Sequence, residues 1–91
     1  MKLSIIIVSY NVSAYLRQCI QSILNSSFLK EYEIIVIDND SYDNSISMIK
    51  TEFPQIKLIQ NSYNVGFSKA VNKGIKLSKG KYICLLNPDT L

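Results

Sequence analysis

Four short β-branched runs separated by three amphipathic stretches predict an α/β fold, a mainly parallel sheet flanked by helices in the order β-α-β-α-β-α-β. Three observations carry this. The strand-like runs are nearly continuous in Ile and Val, as strands buried on both faces must be. The stretches between them repeat apolar residues at i, i+3 and i+4. Polar, turn-forming clusters follow each strand-like run.

The first strand is expected at residues 3–8 (LSIIIV). A helix follows, with Leu16, Cys19, Ile20, Ile23 and Leu24 on one face and Ser13 as its N-cap. The second strand is expected at 33–37 (EIIVI). Its helix carries Ile46, Ile49 and Phe53 on one face, is stopped by Pro54, and is capped by Asp43 or Ser41. The third strand is expected at 56–59 (IKLI). The third helix shares Phe67, Ala70, Val71, Gly74 and Ile75 on its core face, with Gly80 placed as a C-cap glycine. The fourth strand is expected at 82–86 (YICLL). Strands joined through helices run parallel, with right-handed crossovers.

Composition excludes several classes. With 47% hydrophobic and 19% charged residues, the chain is not a disordered tail. Net charge is +3 and dispersed, which does not support nucleic-acid binding. There is no His, hence no His-based triad, zinc ligand or general base within these 91 residues. Cys19 and Cys84 sit among apolar neighbours and read as buried, inert thiols. The first apolar run ends at Ser9-Tyr10-Asn11, too short for a secretory leader, and no run approaches membrane-span length. Cytosolic exposure is the default expectation. The chain ends a few residues past the fourth strand, so more protein is expected downstream, and that strand's uncovered face is expected to favour association.

Ligands of open α/β sheets bind outside the carboxyl ends of the strands. The segments there are Ser9-Tyr10-Asn11, Asp38-Asn39-Asp40-Ser41, residues 61–66 and Asn87-Pro88-Asp89-Thr90. Asp38, Asp40 and Asp89 converge on one edge of the sheet. Gly66 allows a positive φ or a close backbone approach. Ser41 and Asp43 read as caps, Phe67 as helix core, and the Lys69, Lys73, Lys76 stripe as a solvated face. Lys73 within reach of a phosphate, or the stripe on an anionic membrane surface, is the functional alternative. The sequons at Asn11, Asn25 and Asn39 are discounted, two of them overlapping the candidate site. No G-x-G-x-x-G follows the first strand and no phosphate-binding G-K-[ST] loop is present, against a dinucleotide or P-loop enzyme.

Four segments, SIIIVSYN (4–11), VIDNDSYDNS (36–45), NVGFSKAVNKG (64–74) and YICLLNPDT (82–90), resemble in order the N-terminal, nucleotide-binding part of a family 2 glycosyltransferase of the Rossmann-like GT-A fold. N-x-G-F and N-P-D resemble its rhamnosyltransferase-like branch. The resemblance implies an inverting transfer from a nucleoside-diphosphate sugar, UDP- or dTDP-linked, to a saccharide or lipid-linked acceptor, at the cytoplasmic side of a membrane. It implies that residues 1–91 are the donor-binding portion, inactive alone, with the general base beyond Leu91. It implies a nucleotide-sugar site of Ser9, Tyr10, Asn11, Asp38, Asp40, Asn64, Gly66, Asn72 and Asn87. Asp38 would accept hydrogen bonds from the base and Tyr10 would pack on it. Asp89 would hold Mg²⁺ or Mn²⁺ against the diphosphate. The family's Asp-x-Asp reads Asn87-Pro88-Asp89 here, so one anionic ligand is replaced by a neutral amide. A non-catalytic binding or scaffold module of the same fold is the alternative.

Overall fold

A computed structural model describes residues 2–27 and 30–88. The chain forms strands β1 (Leu3–Ser9), β2 (Tyr32–Asp38), β3 (Lys57–Gln60) and β4 (Tyr82–Leu86). Helices α1 (Ser13–Leu24), α2 (Ser45–Glu52) and α3 (Phe67–Leu77) alternate with them. All three strand pairings are parallel, in the order β3-β2-β1-β4. The element order and fold class are those expected, with β1 running on through Ser9 and β2 through Asp38.

The order explains the composition of the central strands. From β1 the chain steps to β2 and then β3, and α3 returns it to the opposite side of β1. Helices α1 and α2 therefore cover one face, packing on Ile5, Ile7, Ile34 and Val36. Helix α3 covers the other, placing Ala70 against Ile6, Ile35 and Ile37. With both faces covered, Ile5, Ile6 and Ile7 are each no more than 2% exposed. Each such side chain contributes roughly 1.5–3 kcal/mol relative to an exposed one. Helix α3 lies close to the sheet, since a Cβ on Gly74 would meet Ile6 Cγ2 at 2.7 Å.

Several local expectations are corrected. Ser13 is the first helical residue of α1 and caps nothing; its N–H donates to Asp43 Oδ2 (3.2 Å) and its hydroxyl to Asn44 Oδ1 (2.6 Å). The acceptor for this helix start comes from the loop before α2. Asp43 also accepts the Ser45 N–H on Oδ1 (2.9 Å), so one carboxylate serves two helix N-termini. Partial burial pushes its carboxyl up, but hydrogen bonds from Ser45 and Ser13 outweigh this and hold it below the ordinary range. Gly80 is no C-cap, because α3 ends at Leu77 with Ser78 following. Its Cβ would sit 2.5 Å from Ser4 N and 2.6 Å from Leu3 C, so glycine is required for close passage over β1. Phe67 is 58% exposed and Ile75 is exposed, leaving Ala70, Val71 and Gly74 as the buried residues of α3.

Cys19 is fully buried, and burial first, then proximity to Cys84, pushes its thiol up. Cys84 is half-buried. Strand β4 lies at the edge of the described sheet, with Tyr82, Ile83 and Leu85 exposed. Among the described residues no helix is long and apolar enough to cross a membrane.

Candidate functional site

The strand order has one switch point, between β1 and β4, where successive connections leave in opposite directions. Loops diverge at the carboxyl ends there and leave a crevice. A cleft of about 350 Å³ lies at that place. Val8, Tyr10 and Val12 from the end of β1 and Asn87 and Pro88 from the end of β4 form two of its walls. Asn39 after β2, and Asn64, Gly66 and Phe67 at the start of α3, complete it. Of the residues expected at a nucleotide-sugar site, Tyr10, Asn64, Gly66 and Asn87 thus share one cleft.

Others lie beside it. Asp38 is 1% exposed, paired in register with Ser9. Its Oδ2 accepts the Ser41 N–H (2.8 Å) and its Oδ1 the Ser41 hydroxyl (2.7 Å). Ser41 is therefore the clasp of the Asp38 carboxylate rather than a helix cap. Asn11, with a left-handed backbone at φ 51°, ties the loop after β1 to the loop after β2. Its N–H donates to Ser41 Oγ (2.9 Å), and its side-chain oxygen accepts the N–H groups of Tyr42 (2.8 Å) and Asp43 (3.3 Å). Ser9 is 1% exposed, and its hydroxyl has no hydrogen-bond partner among the described residues. Asp40 is exposed, with φ 65°. Asn72 is exposed on α3 and does not line the cleft. The Asp89 position lies outside the described residues.

The sequence reading missed Asn39 as a site residue. Its side chain is 3% exposed and organises three segments. Oδ1 accepts from Asn61 Nδ2 (2.9 Å) and the Val65 N–H (3.4 Å), while Nδ2 donates to the Gly66 carbonyl (3.3 Å). Asn61 in turn accepts from Lys73 Nζ (2.6 Å), so Lys73 is tied down rather than part of a purely solvated stripe. The signal was an amide directly after a buried strand, facing a second Asn at the end of the neighbouring strand. Asn64 Oδ1 accepts the Gly66 N–H (2.8 Å), which closes the turn entering α3. Gly66 adopts φ 87° and ψ 169°, a conformation essentially reserved for glycine.

The cleft's polar surface is amide-rich. A side-chain amide oxygen such as that of Asn87 suits a hard cation, which completes its shell from carboxylate, water and phosphate oxygens. Among the described residues no group of three His, Cys, Asp or Glu side chains gathers to hold a metal.

A larger groove, about 550 Å³, lies at the opposite, amino edge, between Leu24, Tyr32, Ile56 and Lys57. Its carboxylate, Glu33, is already engaged by the Ser4 hydroxyl, the Lys79 N–H (2.6 Å) and Lys57 Nζ (3.1 Å). Burial pushes the Glu33 carboxyl up, but these three partners outweigh burial and hold it below the ordinary range. The one acid of this groove is thus committed to neighbours within the chain.

Comparison with known proteins bears on the family and the fold. The family described as glycosyl transferase family 2 matches residues 4–91. The chain is 35% identical over 91 residues to the uncharacterized glycosyltransferase YibD of Escherichia coli, covering 97% of this chain and 26% of that protein. It is 35% identical over 94 residues to the poly(ribitol-phosphate) beta-glucosyltransferase of Bacillus spizizenii, covering 98% of this chain and 15% of that protein. The crystal structure of S. aureus TarS 1-349 in complex with UDP superposes with a TM-score of 0.88 at 27% identity, over 98% of this chain and 28% of that one. The chain thus spans about a quarter, or less, of the length of the relatives named here.

Proposed function

The chain belongs to glycosyl transferase family 2, with the GT-A fold, and from that premise we propose that the protein moves a sugar from a nucleoside-diphosphate donor to a saccharide or lipid-linked acceptor. The observation that carries the proposal is the amide-lined cleft at the switch point between β1 and β4. Residues 1–91 act as the donor-binding portion. The UDP bound by TarS, which shares this fold at 27% identity, supports a nucleoside diphosphate as ligand.

Each side chain has a role in this reading. Asp38 accepts the imide N–H of a uracil or thymine base. Two of its roughly four lone-pair sites are taken by Ser41, which leaves capacity for that bond. Tyr10 packs on the base, and Ser9, Asn11 and Asp40 shape the base and ribose end. Asn64 and Gly66 lie beside the diphosphate sugar, with Asn72 further along α3. Mg²⁺ or Mn²⁺, held by Asp89 with Asn87 alongside, would neutralise charge on the departing diphosphate. A general base from the acceptor-binding part of the enzyme would deprotonate the attacking hydroxyl, which inverts the anomeric centre. The N-x-G-F and N-P-D segments support a rhamnosyltransferase-like reading of the protein. A lipid-linked acceptor would locate it at the cytoplasmic face of a membrane.

Calorimetric titration of the protein with UDP and dTDP, each with and without Mn²⁺, tests this. Saturable binding is expected, weakened by Asp38→Asn and made independent of Mn²⁺ by Asp89→Asn. Binding unaffected by Asp38→Asn would reject the base contact. No binding of either nucleotide would reject the donor site and favour a scaffold with the same fold.

A further inference from the structure

Two tyrosine rings meet at the mouth of the cleft. Tyr10 lines it and is 44% exposed. Tyr42, from the loop after β2, is 84% exposed. The ring centroids lie 6.2 Å apart with their planes at 81°, an edge-to-face pair. A ring so exposed adds nothing to the core, and at a solvent-facing loop position a polar residue would serve folding as well.

Its placement is nevertheless fixed from several directions. The Tyr42 N–H donates to Asn11 Oδ1, and Asn11 is the residue after Tyr10. The Asn11 N–H returns to Ser41, the residue before Tyr42. The left-handed backbones of Asn11 and Asp40 bend both loops so that they face each other. The two segments are thus locked together at the backbone, and the rings meet as the outward part of that junction. An edge-to-face contact restrains the partner ring's rotation while leaving part of its surface open.

We propose that Tyr42 is a positioning residue for nucleobase recognition: its ring sets the orientation of Tyr10, against which the base of the donor nucleotide packs. This rests on the reading of the cleft as a nucleoside-diphosphate site. Tyr42 acts through Tyr10 and through its ring, so its hydroxyl is dispensable and its effect vanishes when Tyr10 is gone.

The test is a double-mutant cycle on the purified protein, with UDP affinity measured by calorimetry for wild type, Tyr42→Ala, Tyr10→Ala and the double variant, and with Tyr42→Phe as the conservative control. Circular dichroism checks that each variant is folded. Tyr42→Ala is expected to weaken UDP by about two- to tenfold, the range of one aromatic pair. Tyr42→Phe is expected to match wild type, and Tyr42→Ala to add no loss in the Tyr10→Ala background. Wild-type affinity in Tyr42→Ala alongside weakened binding in Tyr10→Ala would overturn the proposal and leave the nucleotide site standing. A full additional loss in the Tyr10→Ala background would also overturn it, since Tyr42 would then act without Tyr10. No UDP binding by wild type would remove the nucleotide site, and the proposal with it.

Discussion

Replacing Gly66 by Ala isolates a backbone effect at the entrance to the cleft. Nothing lies within 4 Å of the position a Cβ would take, so the substitution introduces no clash. The cost arises from φ 87° and ψ 169°, a region costing an L-residue about 1–3 kcal/mol. The reduced freedom of the unfolded chain returns about 0.4–1 kcal/mol of that. At the middle of each range a net loss of about 1.3 kcal/mol remains. At about 1 kcal/mol per molar urea for a small protein, the unfolding midpoint should fall by about 1.3 M. If the loop instead relaxes to escape the strain, the Gly66 carbonyl leaves Asn39 Nδ2 and the Ala70 N–H, both at 3.3 Å, and nucleotide affinity drops instead. Gly66→Asn separates this conformation from an ordinary left-handed one. Asn tolerates φ and ψ both near +50° but not ψ near 170°, so it should be as damaging as Ala. A Gly66→Ala midpoint within about 0.3 M of wild type with unchanged UDP affinity, or full rescue by Asn, would refute the reasoning.

Further outcomes follow from other residues. Asn39→Ala strips partners from Asn61, Val65 and Gly66 in a largely buried position, and should cost about 1–3 kcal/mol in urea unfolding while weakening UDP. Gly80→Ala drives a Cβ into the Ser4 and Leu3 backbone, which cannot rotate away; a loss of at least about 1–3 kcal/mol is expected, and wild-type stability would contradict the close approach. Glu33 has a folded pKa below its ordinary 4.5, so the folded state binds fewer protons than the unfolded one. Its contribution is complete above that value and is lost as pH falls through the lowered one. The urea midpoint of wild type should therefore fall more steeply with acidification below about pH 4.5 than that of Glu33→Gln, and parallel profiles would refute the assignment.

The fold was legible because its central strands are buried on both faces, which leaves little choice but Ile and Val at positions 5–7 and 34–37. Helical faces were less so. Phe67 and Ala70 share a period, yet Ala70 is buried against Ile6, Ile35 and Ile37 while Phe67, the residue that opens α3, lines the cleft and is 58% exposed. Periodicity reports which residues share a face, not how far the partner surface extends. Gly80 and Ser13 were misread for a related reason: their roles come from chain segments far away in sequence, β1 for one and Asp43 for the other. At the site, the strand-end rule located Tyr10, Asn64, Gly66 and Asn87 at one cleft. It did not separate side chains that face the cleft from those that hold its loops. Asn39 and Ser41 belong to networks spanning two or three loops, and such networks have no local spacing to read.

The central claim, that the cleft between the ends of β1 and β4 receives a nucleoside diphosphate, is tested most directly by mapping backbone amide shifts of the protein during titration with UDP and Mg²⁺. The account predicts changes clustered at Tyr10, Asn39, Gly66 and Asn87, with none at Tyr32, Lys57 or Lys79. Changes confined to those last three, in the groove at the amino edge of the sheet, would contradict it.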